Sequence, residues 1–428
     1  MNNLEKYSSY KDSGVEWLGE IPEHWEVNKL KYISNVYNGA TPSSGTERFW
    51  NGNISWVTPT DFNKSNYINQ TERKITKSGL NSCGTTLVPK NSIIMTTRAP
   101  IGNIAIAENE LCTNQGCKSI VINKKTDEKY MFYQFFTKSE LLNSLGSGTT
   151  FMELSSKELK NIKIPLPPKE EQIKIASFLD EKTAQIDDVI SQKQKLIELL
   201  KERKQIVIND AVTKGLDKDV GFVDSGVEWI GKIPKHWEIS KVKNIFKLII
   251  EPAPKANEEE LLSIYTDIGV RPRKELAEKG NKASTTDGYW RVKKGDFIVN
   301  KLLAWMGAIG LSEYEGVTSP AYDILRAKKD IVGIYYHELF RLKVFSQEMK
   351  KYSRGIMDMR LRLYFDKFGD ILIPYPSYDE QLKIVEYIEN QTTKIDKAIE
   401  LQQNYISKLK EYKASLIDSV VTGKVKVC

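Results

Sequence analysis

The sequence predicts an α+β protein in which two similar globular bodies alternate with two long helices as a tandem repeat. Three observations carry that expectation. First, DSGVEWLGEIPEHWEVNKLK at 12–31 returns as DSGVEWIGKIPKHWEISKVK at 224–243, with 14 of 20 positions identical. Second, IPLPPKEEQ from Ile164 and IPYPSYDEQ from Ile373 each lead into a long stretch without Pro or Gly. Third, the residues between entry and lead mix short β-like runs with Gly, Pro, Asn and Ser turns.

Each copy therefore spans about 210 of the 428 residues. The expected division is a first body over 1–163, a first helix over 164–216, a second body over 217–372 and a second helix over 373–428. Two copies are too few for a solenoid and suit a protein that meets a two-fold object.

The bodies are expected to share one scaffold. At an offset of 205, Ile93-Ile94 meets Ile298-Val299, Gly102 meets Gly307, Ile104 meets Ile309 and Thr113 meets Thr318. The polar residues around this frame differ, as two different recognition tasks would require. In the first body Thr41, Ser43, Ser44 and Arg48 lie on or beside a turn, Arg98 precedes a Pro-Ile-Gly turn, and Asn114, Gln115 and Lys118 follow a strand. In the second, Arg271, Arg273 and Lys274 form a basic cluster, with Lys301, Trp305, Ser319 and Tyr322 at turns. Asn and Gln can pair with adenine and Arg with guanine, while Ser, Thr and Lys suit phosphates. These fifteen residues are the candidate DNA contacts.

The helices follow from heptad spacing. Leu179, Ile186, Ile190, Ile197 and Leu200 alternate in threes, fours and sevens, and Ile388, Ile395, Ile399, Ile406 and Leu409 repeat them 209 residues later. Such a seam predicts pairing of the two helices with each other. Polar residues break it at equivalent places, Lys193 with Gln402 and Lys204 with Lys413. Gly215 and Gly423 mark the helix ends. Paired antiparallel, the helices would act as a ruler between the bodies.

Composition bounds the function. No apolar run approaches the roughly 18 residues of a membrane span, and the polar N-terminal segment points to the cytoplasm. Four cysteines make no disulfide framework, and Cys112 with Cys117 lacks a histidine partner, so no metal site is expected. The net charge of +7 divides as +3 and +4 between the halves, so DNA binding would rest on local clusters. Enzyme motifs fail. GVEWIGKI at 226–233 ends in Ile233 where a phosphate-binding loop needs a hydroxyl. Ser319-Pro320-Ala321-Tyr322 lacks the second proline of an adenine-methyltransferase loop, and Asp61 with Glu72 and Lys74 has no support as a nuclease set. His24 and His236 sit inside the repeated entry segments, where they fix structure, and His337 stands alone.

With these residues in view, the chain resembles the specificity subunit of a type I restriction-modification system. The entries, the leads and the TPS, APIGNIA and AWMGAIG segments carry the resemblance, which covers essentially the whole chain in the order target-recognition domain, helix, target-recognition domain, helix. The second lead departs at Ser377-Tyr378, where the first has Pro168-Lys169. The resemblance implies that each domain reads one half of a bipartite double-stranded DNA site. An antiparallel coiled coil would set the spacer and dock two modification (adenine methyltransferase) subunits, with restriction/translocase subunits joining for cleavage. It implies no catalytic residue, metal or cofactor in this chain; S-adenosylmethionine, ATP and magnesium would belong to the partner subunits. Two other classes compete: a self-contained DNA methyltransferase or nuclease, which a cofactor-binding assay discriminates, and a stand-alone DNA-binding regulator, which co-purification with a methyltransferase subunit excludes.

Overall fold

A computed structural model of the chain describes residues 5–62, 65–147, 152–275, 286–355 and 361–427. The chain divides into two compact units, Met1–Lys193 with Asn404–Cys428, and Gln194–Gln403.

In the first unit the repeated entry segment builds a hairpin, Tyr10–Asp12 against Glu20–Pro22. It then continues as the strand Glu26–Lys29, which pairs antiparallel with Lys163–Leu166. The IP of the lead is thus strand rather than helix, and the first long helix begins at Lys169 and runs to Lys214. The body's main sheet has five strands in the order Ser34–Asn38, Cys117–Ile122, Ile93–Thr96, Ile104–Ala107 and Tyr67–Ile68. A second sheet of three strands, Leu111–Thr113, Trp50–Val57 and Lys74–Ile75, lies in the same body. The helix Glu128–Phe136 buries Tyr130, Phe132, Tyr133 and Phe135, and shares one core with Trp25, Ile93, Leu179 and Leu416.

The second unit repeats the plan. Phe222–Asp224 pairs with Lys232–Pro234, and Glu238–Lys241 with Leu372–Tyr375. The second long helix, Tyr378–Val421, follows that lead strand. Its main sheet has four strands, Phe246–Ile249, Tyr322–Ala327, Phe297–Asn300 and Ile309–Leu311. An aromatic cluster fills its core, where Phe340 meets Phe246, Phe297, Phe345 and Phe368 at centroid separations of 5.2–5.7 Å. The shared frame extends to backbone conformation: Gly102 and Gly307, equivalent in sequence, adopt φ of +95° and +94°. Side chains pay a steric penalty there and glycine does not.

Each unit holds its helices by the same chemistry. Glu171, in the first turn of the first long helix, accepts hydrogen bonds from Tyr7 (2.6 Å) and the Trp25 indole (3.1 Å) and meets His24 Nε2 at 2.8 Å. Glu380 likewise binds the Trp237 indole at 2.8 Å and His236 at 3.1 Å. A carboxylate there also complements the positive end of the helix dipole. The adjacent Gln172 and Gln381 donate to Pro167 O and Pro376 O at 2.8 and 2.9 Å, satisfying carbonyls beside the helix start. The repeated HWE and EQ motifs are therefore two halves of one joint.

Within the first unit the helix segments run antiparallel, with Asp187 bonded to Lys413 at 2.6 Å and Lys193 over the Tyr405 ring at 4.5 Å. Within the second, Lys204 bonds Asp396 at 2.7 Å. The two ion pairs are equivalent at the 209-residue offset. Leu179, Ile197, Ile388, Ile186 and Ile406 are buried, and Ile190, Leu200, Ile395, Ile399 and Leu409 are half-buried. The helices end at Gly215 and Gly423, whose φ values of +74° and +75° are those of left-handed caps.

His337 lies on the helix Gly333–Phe340, and its Nδ1 accepts the Leu311 N–H at 3.1 Å. Burial, and then Arg341 beside it, push its pKa from 6.5 down to about 4. A depressed folded-state value contributes stability that is present above the unfolded pKa and is lost as pH falls towards the folded one. The second unit should therefore lose on the order of 2–3 kcal/mol between about pH 6.5 and pH 4. His337→Leu should flatten that dependence while costing about 1–3 kcal/mol at neutral pH, because the Leu311 N–H loses its acceptor. Urea midpoints at pH 7 and pH 5 check both.

Candidate nucleic-acid interface

The first-body candidates converge at one end of the fold because the loops that carry them are tied together by backbone bonds. Ala40 N donates to Thr113 O, Thr97 N to Gly116 O and Asn114 N to Val57 O, at 2.8–3.0 Å. Close approach at two glycines helps: a Cβ on Gly39 would sit 1.9 Å from Asn114 O, and one on Gly116 would crowd Pro59. Thr41 donates to the side-chain oxygen of Gln115. Asn114 accepts the Gly116 N–H at 2.9 Å, shaping its own turn. Thr41, Ser43, Ser44, Arg48, Arg98 and Gln115 are exposed on this end.

Lys118 is different. It is 3% exposed, and its ammonium meets Thr97 Oγ1 and Glu153 at 3.3 Å. Glu153 also binds Arg98 Nε at 2.9 Å. Burial alone would raise the Glu153 pKa, but Arg98 and Lys118 outweigh it and hold the carboxylate below its ordinary range. Lys118 thus anchors the loop that presents Arg98, and a strand position pointing inward explains why it presents no free charge. Glu153 carries no local sequence signal, since its partners are 55 and 35 residues away.

The second body gathers its candidates in two neighbouring groups. Arg271 donates to Tyr314 OH at 3.3 Å from the hairpin Leu262–Tyr265/Gly269–Pro272. Lys274 pairs with Glu260, and Arg273 N donates to Leu261 O at 2.8 Å. Lys301 donates to Pro320 O at 2.8 Å and lies 3.4 Å from Asp323, while Ser319 O accepts the Tyr322 N–H at 2.9 Å. Burial raises the Asp323 pKa, and Lys301 opposes that shift. The Trp305 indole donates to Leu302 O at 3.0 Å, and its ring lines a cavity with Gln205, Met306, Arg341 and Lys350.

At the 205-residue offset, Lys118 of the first body corresponds to Asp323 of the second. Each sits in the matching strand and each is held by a partner of opposite charge. The sign of the charge at this one strand position is therefore inverted between the bodies, and it is neutralised in both. Elsewhere, burial pushes the Cys112 and Cys117 thiols up to about 12, so neither is a ready thiolate. Asp61 is a structural clamp that accepts Thr58 N, Thr58 Oγ1 and Glu72 N at 2.7–2.9 Å. Among the described residues, no group of three or more His, Cys, Asp or Glu could hold a metal ion, and no helix is long and apolar enough to cross a membrane.

Each unit thus carries the same frame with its own polar loops, joined to segments of the two long helices. The chain is similar to specificity subunits of type I restriction-modification systems. Residues 22–199 match the family model described as "Type I restriction modification DNA specificity domain". The type I restriction enzyme MjaIX specificity subunit of Methanocaldococcus jannaschii is 37% identical over 249 residues, 57% of this chain and 56% of that relative. That match spans little more than half the relative's length. The MjaVIII specificity subunit of the same organism is 24% identical over 438 residues, covering 95% of this chain and 94% of the relative. A chain solved in work on complex assembly and conformational transition of the type I R-M system shares the fold, with a TM-score of 0.70 at 16% identity, over 94% of this chain and 98% of that one.

Proposed function

We propose that this chain is the DNA-reading subunit of a type I restriction-modification complex, with one body engaging each half of a bipartite duplex site. The observation that carries the reading is the repetition of one scaffold with different polar residues on the loops of each body. Affinity would come largely from phosphate contacts and specificity from a few base edges. The exposed set Thr41, Ser43, Ser44, Arg48, Arg98 and Gln115 serves the first body, and Arg271, Arg273, Lys274, Ser319 and Tyr322 serve the second. The chain works in the cytoplasm and carries out no chemistry itself. Two modification subunits docked on the long helices would methylate adenine with S-adenosylmethionine, and motor-nuclease subunits would use ATP and magnesium. Mapping adenine methylation across the genome of a host with and without the chain tests this; a pattern indifferent to the chain refutes it.

Arg98→Ala should weaken reading of one half-site while leaving the other intact. Its pair with Glu153 is half-exposed on both sides, so thermal stability should change by less than about 1 kcal/mol. Binding measured against duplexes altered in each half-site checks the asymmetry, and equal binding to all of them by wild type and variant removes Arg98 from the interface.

A further inference from the structure

Beside the first-body loops lies an arginine that the reading above does not use. Arg73 is exposed, and its guanidinium sits 3.8 Å from the centre of the Trp50 ring and 5.1 Å from that of Trp56. The two indoles meet edge to face at 5.1 Å. Neither needs the arginine for its own polar group, since Trp50 Nε1 donates to Ser43 O and Trp56 Nε1 to Ala40 O, at 3.1 and 3.0 Å. Those same bonds tie the platform to the turn that carries Thr41, Ser43 and Ser44.

The backbone under Arg73 is fixed as well. Its carbonyl accepts Thr71 Oγ1 at 2.6 Å and Trp56 N at 3.3 Å, and the Asp61 clamp holds the preceding Glu72 N–H. No carboxylate pairs with Arg73 among the described residues, whereas Arg98 and Lys274 each have one. A planar guanidinium stacked on an indole keeps both edges of its fork free and loses little freedom when it binds.

Resting on the DNA-reading function proposed above, we infer that Arg73, oriented by Trp50 and Trp56, is a specificity-determining residue of the first body. It reads a guanine edge through a bidentate pair. Charge alone would not suffice, because the stacked plane supplies the aim.

The test uses the full chain co-purified with its modification subunits. The probes are a duplex carrying the site mapped by methylation and duplexes with each half-site base pair substituted. Arg73→Ala should lower affinity for the mapped site about tenfold or more, and one G·C substitution in one half-site should then cost the variant nothing further. Arg73→Lys should fail to rescue, and both variants should melt like wild type. Affinity within twofold of wild type, full rescue by lysine, or a uniform loss across all duplexes of the kind a phosphate contact gives would each overturn the assignment. Failure of wild type to bind any mapped duplex would instead refute the DNA-reading function itself.

Discussion

Glu171→Ala should destabilise the first unit by about 3–5 kcal/mol, the largest effect expected of any single substitution at the joint. The carboxylate is 13% exposed and takes three partners, Tyr7, His24 and Trp25. Trp25 is fully buried, so its indole N–H would lose the carboxylate that accepts it. The first turn of a 46-residue helix would also lose a charge that complements its dipole. Glu171→Gln, which keeps an acceptor but not the charge, should fall between alanine and wild type. Urea unfolding followed by Trp fluorescence measures both, and a loss below about 1 kcal/mol for alanine would show that the joint is not held this way. Glu380→Ala should act in the same manner on the second unit, through Trp237.

Lys413→Asp should cost about 2 kcal/mol, because it sets two aspartates against each other where Lys413 and Asp187 now pair. Lys413 occupies a seam position and is mostly covered, while Asp187 is 55% exposed, which limits the strength of the pair. The combined Lys413→Asp/Asp187→Lys variant should recover at least half of the loss, a coupling of about 1 kcal/mol or more in a double-mutant cycle. An additive cycle would mean that the pair does not couple the helices. A polar residue at a seam position favours one register over its neighbours, because a one-heptad slip would bury the lysine without its partner. The second pair, Lys204 with Asp396, gives the second unit the same device.

Both devices show how far the sequence alone could be read. The equivalence of Lys204 and Lys413 was visible as matching breaks in two heptad seams. Their aspartate partners were not, because they lie 192 and 226 residues away on the opposing helix. The repeated HWE and EQ motifs were visible as motifs, but their meeting in one joint depends on a separation of 146 residues between Trp25 and Glu171. Lys118 and Arg73 show the same limit in the first body. As letters both are basic residues of a β-rich body. Only packing turns Lys118 inward onto Glu153 and lays Arg73 outward on two indoles.

By itself, the sequence determined that there are two copies, that each pairs a turn-rich body with a long seamed helix, and which family they resemble. These are properties of local spacing and of identity at a constant offset, and both survive in a one-dimensional record. The tertiary structure decided which charges are neutralised, which loops share a surface and which residues bear the joints. The physical reason is that hydrogen bonds and ion pairs act over about 3 Å in space. In this chain such contacts join residues as far as 226 positions apart and beyond, as Asp187 with Lys413 and Gln134 with Val421 show.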